Sequence, residues 1–464
     1  MPKNLEALEH EAKIQRLEAW HWENYLDPVG YCRANLGIEL WAAQKRIIEA
    51  LRDHRFVSVR SSNAVGKSFL ASCCVPWYLQ TRPCGYVVTT AATWKGLEKI
   101  LWPEIHRRIL NARVTSLRRL GHLLKTEWQI APHYEAFAIS PQDPEGFGGF
   151  RTPYGVLVIV DEASNMPQSK YDAIMGLCSG SASKVLLIGN PLRDSGPFYD
   201  SFRHSTWASF RISAFDCPNV IFDREIIPGL ATREWVKERR IEWGTDSPAY
   251  RSRVLGEFPE DAEHSVITLA EVQAAVDRGE DTEIENEEDE PIDLGVDVAR
   301  FGDDATVLQA VQGKRAFMPV EHWKRDTMQI VGEIVAAIRE LNPREVKVDE
   351  IGVGGGVVDR LHELGHTNVY GINVGNNPRD TNRFANLRAE GWWMMKEWVE
   401  SGGILPDHKR LIGDLSSCRY EFTSSGKIKI EEKERTKKRL KRSPDNADAL
   451  MLALIKPYAQ VEIW

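Results

Sequence analysis

Along residues 5–25 apolar side chains return every three or four positions, at Leu5, Leu8, Ile14, Leu17 and Trp20, with charges between them. This spacing predicts an amphipathic helix with one buried face. Leu40, Trp41, Ile47, Ile48 and Leu51 predict a second such helix at 39–52. From there to about residue 213 short apolar runs alternate with longer helical stretches. Strands are predicted at 56–59, 86–90, 155–160 and 184–188, and helices at 66–81, 94–110 and 168–178. Strands that alternate with helices imply a parallel sheet covered on both faces.

The pattern breaks at 277–293, where ten acids (Asp277, Glu280, Asp281, Glu283, Glu285, Glu287, Glu288, Asp289, Glu290, Asp293) stand against one basic residue, Arg278. Such a run repels itself and builds no core, so a solvated linker is expected over 261–291. After it, Ile292–Val298, Ala305–Val311 and Ala316–His322 read as three successive strands. A helix follows at 327–341, a strand at 345–349 and a helix around 357–364. Three strands, a helix and a strand is the order of an RNase H-like fold. The expected organisation is a domain over 1–260, the linker, and a second domain over 292–464.

A chain of 464 residues supports two cores of about 200 residues each. The net charge of −8 argues against a wholesale polyanion binder, so any nucleic-acid contact has to come from local basic stripes. No apolar run approaches a membrane span, and Met1-Pro-Lys-Asn-Leu-Glu has no basic-then-apolar layout; neither a membrane location nor export is expected. Seven cysteines, none in a C-x-x-C pair, point to reduced thiols in a cytoplasm.

Two sets of residues carry chemistry. Between the strand Phe56-Val-Ser-Val and an apolar helix lies Arg60-Ser61-Ser-Asn-Ala-Val-Gly66-Lys67-Ser68. A phosphate loop wraps backbone N–H groups around an anion at a helix N-terminus. Gly66 permits close approach, Lys67 reaches the terminal phosphates and Ser68 coordinates Mg²⁺; Ser61 takes the place of the usual first glycine. Val156-Leu-Val-Ile-Val160 delivers Asp161 to the same ion, and Glu162 suits a base that polarises water. Gln44 stands upstream, where its amide either reads an adenine edge or is simply solvated. Gly189-Asn190-Pro191 ends the next strand, either as a γ-phosphate sensor or as a turn.

The second set is acidic. Cleavage of a phosphodiester by two Mg²⁺ or Mn²⁺ ions ~4 Å apart needs several carboxylates on one space. Asp297 lies in the first strand after the linker, within Gly295-Val-Asp297-Val-Ala-Arg-Phe-Gly-Asp303-Asp304. Asp349 ends the strand Val346-Lys-Val. Asp445 and Asp448 share one face of a helix at 444–456. Asp448 is expected to point inward, whereas Asp445, next to Pro444, is explained equally by capping. Residues 427–442, with nine basic residues and three acids, are expected to contact phosphates.

From Leu40 to Leu454 these motifs, in this order, resemble the large terminase subunits of tailed bacteriophages. The resemblance implies an α/β chain with an N-terminal ASCE-type P-loop ATPase and a C-terminal RNase H/RuvC-like nuclease domain. It implies ATP and Mg²⁺ at Lys67, Ser68 and Asp161, with Glu162 as the catalytic base. Gln44 matches the adenine motif, Gly189-Asn190-Pro191 the coupling motif, and Asp297, Asp349 and Asp448 the nuclease acids. The implied partners are double-stranded DNA, a portal protein and a small terminase subunit, with copies forming a ring on a procapsid in the host cytoplasm. Many members carry an arginine four positions before the lysine; Asn63 stands there, and Arg60, Arg107 and Arg108 are the alternatives for an arginine finger. A cellular helicase–nuclease and a DNA-binding scaffold with an inactive nuclease fold are the competing readings.

Overall fold

The structure, a computed structural model, describes residues 2–91, 93–140, 152–259, 264–281, 290–299 and 304–456, with only the backbone of residues 2–12, 14, 280 and 281. The side chains of Leu5, Leu8 and Ile14, and all of Asp303, lie outside the described residues. The chain forms two compact units. One runs to Val236 and includes Ser252–Phe258; the other holds Lys237–Arg251 and the chain from Pro259 on.

The first unit is built on eight strands: β1 Phe56–Ser61, β2 Tyr86–Thr90, β3 His122–Leu124, β4 Glu127–Ala131, β5 Tyr134–Ala138, β6 Val156–Val160, β7 Lys184–Gly189 and β8 Trp207–Ile212. Their order is β3-β4-β5-β2-β6-β7-β1-β8. From β5 to β8 all neighbours are parallel; β3, β4 and β5 pair antiparallel. β2, β6 and β7 are buried at every position, which explains their unbroken apolar text. The helix Lys67–Thr81 that follows β1 buries each side chain from Leu70 to Leu79, so its sequence is apolar all round.

Here the structure corrects several expectations. Leu17, assigned to a buried face, is exposed on the helix Pro2–Leu26. The helix expected over 94–110 contains a wide turn at Leu97–Leu101, just before Pro103, which has no N–H to donate back into that turn. β3, β4, β5 and β8 are additional. They are short and half exposed, and the β4–β5 ladder shifts register between Gln129 and Ala131, so no clean alternation marks them.

In the second unit β9 Ile292–Asp297, β10 Ala305–Gln312, β11 Arg315–Ala316, β12 Val320–Trp323, β13 Glu345–Asp349 and β14 Val369–Ile372 form one sheet in the order β11-β10-β9-β13-β14, with β12 also on β10. The strand expected over 316–322 is broken into β11 and β12 by Pro319, which cannot donate to the ladder. β9 and β13 run parallel with Val296 beside Val348, so Asp297 and Asp349 leave adjacent strands at the same level. β15 Tyr420–Phe422 and β16 Ile428–Ile430 form a separate hairpin. Part of the expected linker is folded: Leu269–Asp281 is a helix with Val272, Ala275 and Val276 buried, and Arg278 donates to the Val399 and Gly403 carbonyls. Apolar spacing along 269–276 prevails over the acids that follow. Residues 282–289 lie outside the described residues.

The helix Asp445–Leu454 lies flat on β9. A Cβ on Gly295 would stand 2.1 Å from the Ala449 carbonyl oxygen and 2.4 Å from the Ala453 nitrogen, so only glycine permits this approach. At the helix's far end the buried Lys347 of β13 donates to the Ala453 carbonyl at 2.8 Å, a cation at the negative pole of the helix. Gly295→Ala should therefore force helix and strand apart. Overpacking of this kind costs roughly 1–3 kcal/mol. Differential scanning calorimetry should find the midpoint lowered by about 2–4 °C per kcal/mol; an unchanged midpoint contradicts the close packing.

Candidate functional site

The first unit gathers one set of predicted residues. β1 ends at Ser61 and the chain turns through Ala64 and Gly66, both with left-handed backbone (φ 53° and 80°), before the helix at Lys67. This turn is pinned from outside. The Ser62 N–H donates to the Ile212 carbonyl, the Asn63 N–H to the Arg253 carbonyl and the Ala231 N–H to the Ala64 carbonyl, all within 2.7–2.8 Å. Strand β7 lies between β1 and β6, and the ends of all three meet at the loop. Ser68 Oγ donates to Asp161 Oδ2 at 2.7 Å. Asn190 Nδ2 donates to the Ser61 carbonyl at 2.6 Å, tying the end of β7 to the loop. Gln44 spans the helix start and the loop: its Oε1 accepts from the Trp41 N–H at 3.3 Å and its Nε2 donates to the Gly66 carbonyl at 3.1 Å.

These residues border a cavity of about 340 Å³ lined by Gly66, Lys67, Ser68, Asp161, Glu162 and Asn190 among others. Burial pushes the Lys67 ammonium down to about 8, against the attraction of Asp161 and Glu162. Burial likewise raises Asp161, although the Ser68 hydroxyl and Lys67 oppose the shift. A hydroxyl and a buried carboxylate on one spot, beside the half-buried Lys67 whose Nζ donates to the Ser62 carbonyl at 3.0 Å, suit a Mg²⁺–phosphate group. Glu162 holds a left-handed backbone (φ 54°, ψ 42°), and Gly189, whose Cβ would come 3.0 Å from the Ala163 nitrogen, leaves room for it. Strain of this kind at a non-glycine residue persists where surrounding structure fixes it.

The arginine candidates do not reach the cavity. Arg60 turns to the opposite face of β1, its guanidinium over the rings of Phe258 (4.9 Å) and Phe202 (5.4 Å). Arg107 and Arg108 pair with Glu104. Arg108 also lies 4.4 Å over the ring of Phe69, which lines the cavity. Strand alternation decides the case of Arg60, because it faces the opposite way from its strand neighbours Val59 and Ser61.

The second unit gathers the acids around one cation. Lys433 Nζ lies 2.9 Å from Asp448 Oδ2, 3.5 Å from Asp445 Oδ1 and 3.7 Å from Asp297 Oδ2. Burial raises Asp297 well above the usual carboxylate range, against the pull of Lys433, and raises Asp445 likewise. Asp448 faces the same burial, but Lys433 and Arg388 overcome it and hold it below that range. For Lys433 too burial is outweighed, by Asp448, Asp297 and Asp445, and its ammonium is held well above the ordinary value. Asp349 stands beside the group, raised by burial and by Asp448, with Oδ1 accepting from the Ile351 N–H. Asp445 is buried and takes the Ala305 N–H at 3.3 Å, so capping alone does not explain it.

No group of three or more acid, histidine or cysteine side chains among the described residues is already spaced for a metal ion. The ammonium of Lys433 holds the shared position. The donor set nonetheless fits a divalent ion: three carboxylates bracket one point, and the buried Asp448 Oδ1 accepts no hydrogen bond of normal geometry among the described residues. The Lys433 stem is two-fifths exposed while its carboxylate partners are exposed by a tenth or less, so the lysine can leave towards solvent.

Of the nine basic residues of 427–442, Lys433, Lys437, Arg439 and Arg442 are engaged with acids of the second unit. Lys433 serves the acids, Lys437 pairs with Asp304 at 3.1 Å, Arg439 pairs with the buried Glu431, and Arg442 pairs with Asp414 at 2.5 Å. Asp414, absent from the sequence-based set, is fully buried. Burial pushes it up to about 7, against Arg442, and its Oδ2 accepts the Asn446 N–H at the start of the helix Asp445–Leu454. Nothing in the local text separates it from a surface acid; only the helix start placed above it reveals its role.

No family model matches the chain. Its sequence is 25% identical over 451 residues to a probable terminase, large subunit, of Enterobacteria phage P7, a match spanning 90% of this chain and 88% of that protein. Among solved structures it is similar to the ATPase domain of the Thermus phage P74-26 large terminase, at 20% identity over 48% of this chain and 95% of that one, with a TM-score of 0.39. It is also similar to the nuclease domain of the large terminase subunit of bacterial virus Sf6, at 18% identity over 42% of this chain and 100% of that one, with a TM-score of 0.37.

Raised carboxylate pKa values give the acid cluster a pH signature. Protonation of Asp297 and Asp445 favours the folded chain, so their contribution is present at low pH and is lost as pH rises through their folded pKa values. Lys433 offsets that loss. Lys433→Ala should lower the thermal midpoint of metal-free protein at about pH 8 and less so at about pH 5, and added Mn²⁺ should restore it. A deficit equal at both pH values and indifferent to Mn²⁺ contradicts the shared-cation geometry.

Proposed function

We infer that this chain is a large terminase subunit of a tailed phage, which hydrolyses ATP to drive double-stranded DNA into a procapsid and cuts concatemeric DNA with a metal-dependent nuclease. The observation that carries the reading is the pair of sites in one chain: a phosphate loop joined to Asp161 through Ser68 in the first unit, and carboxylates converging on one cation in the second. The sequence match supports it by running through both units.

At the first site Lys67 and the loop N–H groups would bind the phosphates, and Ser68 and Asp161 would hold Mg²⁺. Glu162 would orient the attacking water, and Asn190, bonded to Ser61, would relay the state of the phosphates to β1. At the second site Asp297, Asp349, Asp445 and Asp448 would hold Mg²⁺ or Mn²⁺ once Lys433 withdraws; bound ions activate water and neutralise the leaving oxygen. We assign the ATPase to the first unit, within the expected 1–260, and the nuclease to the second, which joins to the expected 292–464 the helix Leu269–Asp281 and the segment Lys237–Arg251. The partners on this reading are DNA, portal protein and small terminase subunit, with the chain in a ring at the portal vertex in the host cytoplasm.

The two activities should separate by mutation. Glu162→Gln should bind ATP as the wild type does and lose about 100-fold or more in turnover, since only the water-orienting group is altered. Its cleavage of plasmid DNA with Mn²⁺ should persist. Asp448→Asn should do the reverse, hydrolysing ATP and leaving the plasmid intact. Wild-type turnover in Glu162→Gln, or cleavage by Asp448→Asn, would remove the corresponding assignment.

A further inference from the structure

The segment that follows β8 returns to the phosphate loop, and one side chain shapes it. Asn219, 1% exposed, uses both ends of its amide on the backbone of 226–230. Its Nδ2 donates to the Ile227 carbonyl at 2.8 Å and the Leu230 carbonyl at 3.1 Å; its Oδ1 accepts from the Ile226 N–H at 2.8 Å and the Ile227 N–H at 2.9 Å. Four hydrogen bonds from one buried side chain fix a segment that has no helix or strand of its own. The end of that segment and the residue after it meet the nucleotide cavity or the loop that borders it. Gly229, with φ 83°, lines it. The Leu230 side chain lies where a Cβ on Gly66 would come within 3.3 Å. The Ala231 N–H donates to the Ala64 carbonyl at 2.7 Å.

Ala64 is the loop residue with the least comfortable backbone. A left-handed φ of 53° costs an alanine of order 1 kcal/mol and persists only where something holds it. The hydrogen bond from Ala231 is the restraint, and Asn219 sets the position of Ala231.

We propose that Asn219 is a positioning residue of the nucleotide site, holding residues 226–231 so that Ala231 keeps Ala64, and with it the phosphate loop, in its phosphate-binding form. The proposal rests on the ATP reading above and adds to it a residue that touches neither nucleotide nor metal. It predicts that the cost of disturbing Asn219 appears at Ala64, which glycine would relieve, because glycine adopts φ > 0 freely.

The test uses the full chain and ATP. Asn219→Asp keeps the oxygen that accepts the two N–H groups and loses both donors. It should raise KM for ATP about tenfold, the scale of one or two lost hydrogen bonds, while Mn²⁺-dependent DNA cleavage by the same preparation stays at the wild-type rate. Adding Ala64→Gly should return KM to within about twofold of the wild type, a rescue that a merely structural loss would not show. Should Asn219→Asp not fold, Ala64→Gly alone still decides: it should make ATP binding insensitive to removal of the Ala231 N–H by Ala231→Pro. The proposal is overturned if KM in Asn219→Asp matches the wild type, or if its rise, or that in Ala231→Pro, survives Ala64→Gly. Wild type and Lys67→Ala serve as controls: a wild type that binds no ATP overturns the nucleotide reading itself, whereas binding lost only in Lys67→Ala and unaltered in Asn219→Asp overturns the positioning role alone.

Discussion

Three carboxylates cannot share a dry space without a cation. Two unit charges about 4 Å apart repel by about 4 kcal/mol at a protein-like effective dielectric, and Asp297, Asp445 and Asp448 all lie within 4 Å of one point. Much of the second unit serves to sustain that arrangement. Gly295 lets the helix Asp445–Leu454 lie against β9, Lys347 holds its C-terminal end, and the fully buried Asp414, paired with Arg442, holds its start. Lys433 neutralises what these contacts force together. On the nuclease reading, divalent ions would satisfy the same charges as the lysine and would compete with it for one position.

The same constraint operates in the first unit with opposite emphasis. There the half-buried ammonium of Lys67 lies near a buried carboxylate, Asp161, and desolvation drives both towards neutrality. On the ATP reading a phosphate with its Mg²⁺ would restore the charged form of each, which would link nucleotide binding to the protonation of these two groups. The backbone around them is held by neighbours rather than by its own propensity. Asn190 from β7, Gln44 from the preceding helix and Ala231 from the segment after β8 all bond to loop carbonyls between Ser61 and Gly66.

What was legible in the sequence was what burial makes regular. β1, β2, β6, β7, β9, β10 and β13 are buried on both faces or close to it, and their apolar runs announce them. The acids at strand ends, and the Asp445–Asp448 pair one turn apart, follow from the same periodicity. Edge elements stayed hidden, because β3, β4 and β8 face solvent on one side and carry mixed side chains. Charge was read least well. The stretch 427–442 reads as a phosphate-binding surface, yet Lys433, Lys437, Arg439 and Arg442 are spent on acids that lie elsewhere in the sequence. A run of basic residues records charge, and only the fold determines which partner neutralises it. Arg60 failed for a simpler reason: a residue one position before a loop can face away from it, and here it stacks on Phe202 and Phe258.

The claim that carries the rest is that the four aspartates of the second unit form a metal-dependent DNA-cutting centre. Its most direct measurement is metal binding itself, by isothermal titration of Mn²⁺ into the full chain and into Asp297→Asn. The account predicts binding by the wild type, with DNA nicking appearing over the same range of metal concentration, and loss of both in Asp297→Asn. Nicking that persists in Asp297→Asn, or a wild type that cuts DNA with all divalent metal chelated, would contradict it.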